Sequence, residues 1–210
     1  MIIGITGKAR SGKDQLGAYI QDIFNKKHDR WFTHIFFAEM LKTMCMDHFD
    51  LSNDQVYGDL KEVSDNRYVK ELPEEGTVLT DENFWTPREI LQELGSFYRK
   101  IDHNFWVRIL QDEIKVRGIK DALITDVRHI NEAEFVKNSK GMLLKITRDD
   151  VSEIHNSSHI SETALDDYKD FDIIVPNKGT LQDLENIASE VVVAIIELEK
   201  LINNGGIYNG

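Results

Sequence analysis

Gly7-Lys8-Ala9-Arg10-Ser11-Gly12-Lys13 fits the pattern G-x-x-x-x-G-K. Glycines at both ends let the backbone turn tightly, so that successive N–H groups point inward around an anion. A helix starting at Gly12 would present its positive N-terminal end to the same charge. Lys13 would then reach the β- and γ-phosphate oxygens of a nucleoside triphosphate. Asp14 stands where Ser or Thr normally offers magnesium a hydroxyl. A carboxylate is also a hard-oxygen ligand, directly or through water. It adds repulsion toward phosphates that Lys8, Arg10, Lys13 and the metal would offset. The chemistry indicated is phosphoryl transfer, which needs positioning and charge cancellation more than covalent participation.

Further cations and acids recur where apolar runs end. Asp126 follows Ala122-Leu123-Ile124-Thr125, placed to hold magnesium or its water, and Arg128 two residues on can reach a phosphate. The pair can equally cap the next helix or engage Glu132. Arg148 opens a polar segment, where it either closes over a transferring phosphate or lies on the surface as a simple arginine. Asn177-Lys178-Gly179 either meets an adenine edge or forms an ordinary turn. Arg88 and Arg99 are eleven residues apart, about three helical turns, so on one helix they face similar directions. They can bracket a second anion opposite Lys13, or be solvated helix charges. His155 and His159 lack a cysteine or a spaced second pair, so they do not form a zinc pattern.

These residues need a scaffold, and the hydrophobic pattern supplies one. Ile2–Thr6, Trp31–Ala38, Ala122–Thr125, Met142–Thr147 and Asp172–Val175 read as strands. Helices are predicted over about 12–24, 39–49, 87–99, 131–138 and from Thr180 onward, the last with Leu181, Leu184, Ile187, Val191, Ile195, Leu198 and Ile202 at helical spacing. Ser52 and Thr86 begin capping boxes, the second with Pro87 at the first helical position. Asp102 caps a further helix with Phe105, Trp106, Ile109, Leu110 and Ile114 on one face. Residues 63–84 are polar and weakly patterned, long for a connector, as lids, binding loops and disordered segments are. Strands alternating with helices imply a mostly parallel sheet covered on both faces, with ligand beyond the carboxyl ends of the strands. Gly7, Ala38, Asp126, Arg148 and Asn177 then share one rim.

The chain has 210 residues, enough for one α/β domain, and a formal charge of −12. That charge argues against a nucleic-acid polymer as partner, which would call for a basic face. No run approaches the roughly 18 apolar residues of a membrane span. The first residues lead straight into the loop motif, so no signal peptide is predicted. The single cysteine, Cys45, excludes an intramolecular disulfide and reads as a buried inert thiol in a reducing cytoplasm.

Four segments together resemble the deoxynucleoside monophosphate kinases of tailed bacteriophages and their bacterial relatives. They are Gly7–Asp14, whose Asp14 looks like that family's own variant; Phe37-Ala38-Glu39-Met40-Leu41-Lys42; Pro87–Gly95 continuing through Arg99, Asp102 and Trp106; and Thr125-Asp126-Val127-Arg128 with Glu132, Ser158–Glu162 and Asn177–Thr180. The resemblance covers nearly the whole chain, with no clear counterpart for 63–84. It implies a single three-layer P-loop kinase domain with a five-stranded parallel sheet in the order 2-3-1-4-5. Within it would lie a monophosphate-binding helical region (39–106), a lid-like segment (149–170) and a flexible tail (203–210). It further implies ATP and Mg2+, with the γ-phosphate passing to a deoxynucleoside 5'-monophosphate to give the diphosphate. By the same resemblance Lys42, Arg88, Gln92, Arg99, Asp102 and Trp106 serve the acceptor, and Arg128, Arg148 and His159 lie under or on the lid. Asp14 and Asp126 serve the metal. The implied partners are small nucleotides, in the cytoplasm (the host's, if phage-encoded), with no membrane, and a homodimer is compatible. A dephospho-coenzyme A kinase shares this core, but Pro87–Gly95 disfavours it. A non-catalytic ATP-binding module would have less need of the rim arginines.

Overall fold

The computed structural model describes residues 1–148 and 163–203. Their contacts form two compact units, Met1–Phe36 with Leu110–Gly210, and Phe37–Ile109.

The first unit holds a five-stranded sheet, β1 (Ile2–Thr6), β2 (Thr33–His34), β3 (Ala122–Ile124), β4 (Met142–Thr147) and β5 (Ile173–Pro176). All pairings are parallel, as the alternation of strands and helices predicts, and the order is β2-β3-β1-β4-β5, as the resemblance implies. β1 is central because its short apolar run can be buried on both faces. One face packs on α1 (Lys13–His28) and α7 (Leu181–Asn203): Leu16, Ile20 and Phe24 share a core with Leu184, Ala188, Val192 and Ile195, over Ile3, Ile5 and Ile146. Gly4 alternates to the opposite face, where an added Cβ would stand 2.8 Å from Val136 of α6 (Ile130–Asn138). At the amino ends of the strands Arg30 grips Asp121 (2.6 Å) and Glu199 (2.7 Å), and Asp121 also binds the Met1 ammonium at 2.7 Å. This clamp fixes the end of the sheet remote from the rim that carries the phosphate loop.

Several boundaries differ from the expected ones, each for a local reason. β2 spans two residues rather than Trp31–Ala38, because it is an edge strand paired only to the three-residue β3. Trp31 is 65% exposed, outside the ladder. α1 continues past Phe24 to His28, where Lys26, Lys27 and His28 complement the negative helix end and Asp29 closes it at φ 46°. β5 starts one residue late, since the Asp172 carboxylate takes the Leu143 N–H (2.7 Å) and the Lys137 ammonium (2.6 Å).

The second unit contains α2 (Glu39–Phe49), α3 (Asn53–Val56), α4 (Pro87–Ile101) and the start of α5 (Phe105–Arg117). Both predicted capping boxes form, Ser52 with Gln55 and Thr86 with Glu89. The core joins Leu41, Cys45, Leu51, Val56, Ile90 and Trp106, with Tyr68, Trp85 and Tyr98 packed against it. Burial pushes the Cys45 thiol up to about 11, so it stays an inert core group. The two ends of 63–84 are pinned, while 71–78 are exposed: Val69 bridges Phe84, Trp85 donates to the Tyr68 carbonyl (2.8 Å), and Tyr68 Oη donates to the Phe49 carbonyl (2.5 Å). Asp65, 7% exposed, receives Arg67 at 2.6 Å and Gln55 at 2.8 Å. The sequence pattern is weak here because this order comes from backbone ladders and ion pairs, not from apolar periodicity.

Candidate active site

The rim of the first unit is built around Gly7–Asp14. Gly7 leaves β1 so close to β4 that a Cβ there would stand 2.5 Å from Ile146 Cγ2 and 2.8 Å from its carbonyl oxygen. Gly12 sits at φ 95° and Arg10 at φ 62°, left-handed conformations that turn the chain sharply before α1. Ser11 N–H donates to the Lys8 carbonyl at 3.1 Å, closing the turn, and Leu16 N–H donates to Gly12 at 2.9 Å, starting the helix. Lys13 and Asp14 thus occupy its first turn. Lys8 and Arg10 are exposed, and Lys8 lies 3.8 Å from Asp166. The Ser11 hydroxyl is buried without a hydrogen-bond partner among the described residues.

Behind the loop lies Asn177, just after β5. Its Nδ2 donates to the Ser11 carbonyl at 2.9 Å and its backbone N–H to Thr147 at 2.8 Å. The side chain is 2% exposed. Its Nδ2 is thus spent on holding the loop rather than open to an adenine edge, while its Oδ1 is buried without a hydrogen-bond partner among the described residues. Lys178 beside it is exposed.

Asp14 carries a side chain 71% exposed, yet it is held from below. Thr125 Oγ1, at the end of β3, donates to Asp14 Oδ1 at 2.8 Å, while Lys13 Nζ lies 3.4 Å from Oδ2. His34 Nε2 lies 3.2 Å from Thr125 Oγ1. Burial lowers the His34 pKa against the opposing pull of Asp14 and Asp126, and its ring leans on Phe36 with centroids 4.4 Å apart. Asp126 and Arg128 follow on the same rim, both partly buried. The buried Glu132 carboxylate accepts the backbone N–H groups of Arg128 (2.8 Å) and His129 (3.1 Å), fixing the turn into α6. Arg148, the first residue beyond β4, is partly buried. Among the described residues no three His, Cys, Asp or Glu side chains gather as a protein-only metal cage.

The second unit holds the residues expected for the acceptor. Arg88, Gln92, Gly95 and Arg99 follow one stripe of α4, within roughly 60° of each other at 3.6 residues per turn. The guanidinium of Arg99 would lie 3.3 Å from a Cβ on Gly95, so the small residue makes room for it. Arg88 pairs with Glu62. Lys42 on α2 places Nζ 4.4 Å from the Tyr57 ring centre, and Tyr57 Oη donates to Glu39 at 2.9 Å. Burial and that carboxylate push the Tyr57 phenol up to about 12. Asp102 ends α4, accepts the Asn104 N–H at 3.0 Å and pairs with Arg108. Trp106 corrects its expected role: it is 2% exposed, its Nε1 donates to the Gly95 carbonyl (3.1 Å), and it belongs to the core. The opposite face of α4 (Ile90, Glu93, Leu94 and Phe97) lines an apolar cavity of about 650 Å³.

His159 and most of the expected lid, 149–162, lie outside the described residues, as do tail residues 204–210. His34 and Thr125 join Asp14 here without having stood out in the sequence. A hydroxyl directly before Asp126 was a visible signal for Thr125. His34 carried none, because its contact depends on the β2–β3 register, Thr33 with Ala122 and His34 with Leu123.

Comparison with known proteins bears on this arrangement. A family model described as deoxynucleotide monophosphate kinase matches residues 31–187. The chain is also 29% identical over 201 residues to an Acanthamoeba polyphaga mimivirus protein named "Putative deoxynucleotide monophosphate kinase", covering 87% of this chain and 91% of that protein.

Proposed function

The chain belongs to the deoxynucleotide monophosphate kinase family, and from that premise we propose that it moves the γ-phosphate of ATP, with Mg2+, to a deoxynucleoside 5'-monophosphate. Family membership makes it a phosphotransferase acting on nucleotides. The observation that best supports the finer reading is the loop Gly7–Asp14, turned by left-handed Arg10 and Gly12 into the first turn of α1. Such a turn offers backbone N–H groups and a helix terminus to a triphosphate.

In this reading Lys8, Ala9, Arg10, Ser11 and Gly12 cradle the triphosphate, and Lys13 bridges its β- and γ-oxygens. Asp14 and Asp126 would hold Mg2+, which when bound neutralises phosphate charge. Lys42, Arg88, Gln92 and Arg99 bind the acceptor phosphate, and Asp102, which caps the end of α4 and pairs with Arg108, lies beyond that stripe. An acceptor phosphate oxygen attacks the γ-phosphorus, and the bridging oxygen leaves with ADP. Arg10, Arg128 and Arg148 counter the charge that spreads over the transferred group.

The test is a parallel acceptor panel. Purified chain with ATP and MgCl2 is given dGMP, dTMP, dAMP, dCMP or dephospho-coenzyme A, and products are separated by ion-exchange chromatography. Conversion of at least one deoxynucleoside monophosphate to its diphosphate is expected. Turnover of dephospho-coenzyme A alone, or of no acceptor, overturns the proposal.

A further inference from the structure

We propose that Thr125 is a positioning residue for phosphoryl transfer, its buried hydroxyl fixing the orientation of the acidic residue at the end of the phosphate loop. The inference rests on Asp14 serving the bound nucleotide. It begins with a difference between side chains. A Ser or Thr at position 14 has one rotatable bond to its oxygen and few staggered states. An aspartate adds a second, broad torsion about its carboxyl group. With 71% of its side chain exposed, Asp14 would otherwise spread over many orientations.

Thr125 removes that freedom. An ionised carboxylate only accepts hydrogen bonds, so the Thr125 hydroxyl must donate its single proton to Asp14 Oδ1 across 2.8 Å. Its lone pair is left for His34, whose Nε2, 3.2 Å away, must then carry the hydrogen. Both partners thus constrain one hydroxyl, which is itself fully buried. With Oδ1 turned toward the sheet, Oδ2 is the oxygen beside Lys13. Gly17 permits the approach, since a Cβ there would stand 2.6 Å from Thr125 Cγ2. A carboxylate in the loop thereby acquires the definition that a hydroxyl has by its own shortness.

The test compares Thr125→Val, which keeps shape and loses the hydroxyl, with Thr125→Ser, which keeps the hydroxyl. In the full chain, Thr125→Val should lower kcat about tenfold with the acceptor KM within about twofold, and Thr125→Ser should recover most of the loss. A second readout needs no turnover. The affinity for N-methylanthraniloyl-ATP is titrated with and without MgCl2, no acceptor present. Thr125→Val should shrink the gain due to magnesium several-fold, and should have no further effect on an Asp14→Ala background. Thr125→Val with parental kcat and an unchanged magnesium gain overturns the proposal, as does an equal effect in the Asp14→Ala background. Should valine unfold the chain, Thr125→Ala carries the same comparisons. If no deoxynucleoside monophosphate is phosphorylated by the parent, the proposed function fails, while the magnesium titration still decides the role of Thr125.

Discussion

Asn177 and Ser11, 166 positions apart, are joined by a buried 2.9 Å hydrogen bond from the Asn177 amide to the Ser11 carbonyl. The bond ties the outer strand β5 to the middle of the phosphate loop, so the loop's curvature is held by the far side of the sheet. Gly12 completes the contact, because a Cβ there would stand 2.8 Å from Asn177 Nδ2.

Asn177→Ala should therefore loosen the loop and strand a buried carbonyl. We expect the ATP KM to rise about tenfold and unfolding free energy to fall by about 1–2 kcal/mol, with the acceptor KM unchanged. Gly12→Ala should give the same kinetic pattern and a larger loss of stability, since φ 95° strains any side chain. Steady-state kinetics in both substrates and urea denaturation check both variants.

What could be read from the sequence divides along the same lines. Gly7–Lys13 and the Thr86-Pro87-Arg88-Glu89 helix start are local devices whose meaning lies in a few neighbouring residues. The parallel sheet followed from the alternation of strands and helices, and the strand order from the family resemblance. The length of β2 could not be read, because an edge strand ends where its partner does. The Asp14–Thr125–His34 and Ser11–Asn177 contacts could not be read either: each needs the register of strands distant in sequence. Trp106 lies on the apolar face that spacing alone gave its helix, and only the family resemblance sent it to the acceptor.

Lys13→Ala should abolish transfer and spare the fold. Its ammonium is partly buried beside Asp14 and in no core, so melting should shift little. Loss of a charge aimed at the transferring group should cost at least about a hundredfold in kcat. Parallel kinetics and thermal melts check this, and near-parental turnover would mean the loop does not act on phosphates.

Arg88→Ala should act on the acceptor. The stripe Arg88, Gln92 and Arg99 on α4 is read as binding a monophosphate, and a charged hydrogen bond lost there should raise the acceptor KM about tenfold or more. The ATP KM should stay within about twofold, whereas a role in holding the triphosphate would reverse the pattern. Initial rates over a grid of both substrates separate the two.

Asp65 gives the second unit a pH dependence. The Arg67 guanidinium holds its carboxyl down at about 2, from an ordinary value of 3.8. A lowered folded pKa contributes stability that is complete above the unfolded value and lost as pH falls toward 2. With Arg67 itself partly exposed, the contribution is about 1–2 kcal/mol. Urea midpoints of the parent and Asp65→Asn should thus differ at pH 6 and converge between pH 4 and pH 2.

Trp106→Phe separates a core residue from a binding residue. The indole packs edge-on against Tyr98 (5.5 Å) and Phe105 (4.8 Å), and its N–H reaches the Gly95 carbonyl. Phenylalanine loses that hydrogen bond and leaves unfilled volume, which should cost about 1–3 kcal/mol. Since Gly95 lies in the Arg88–Gln92–Arg99 stripe, a small change in acceptor affinity should accompany it. Well below the melting temperature the acceptor KM should still move by less than about threefold. A large rise in KM with an unchanged melting temperature would instead mean that the ring touches the acceptor.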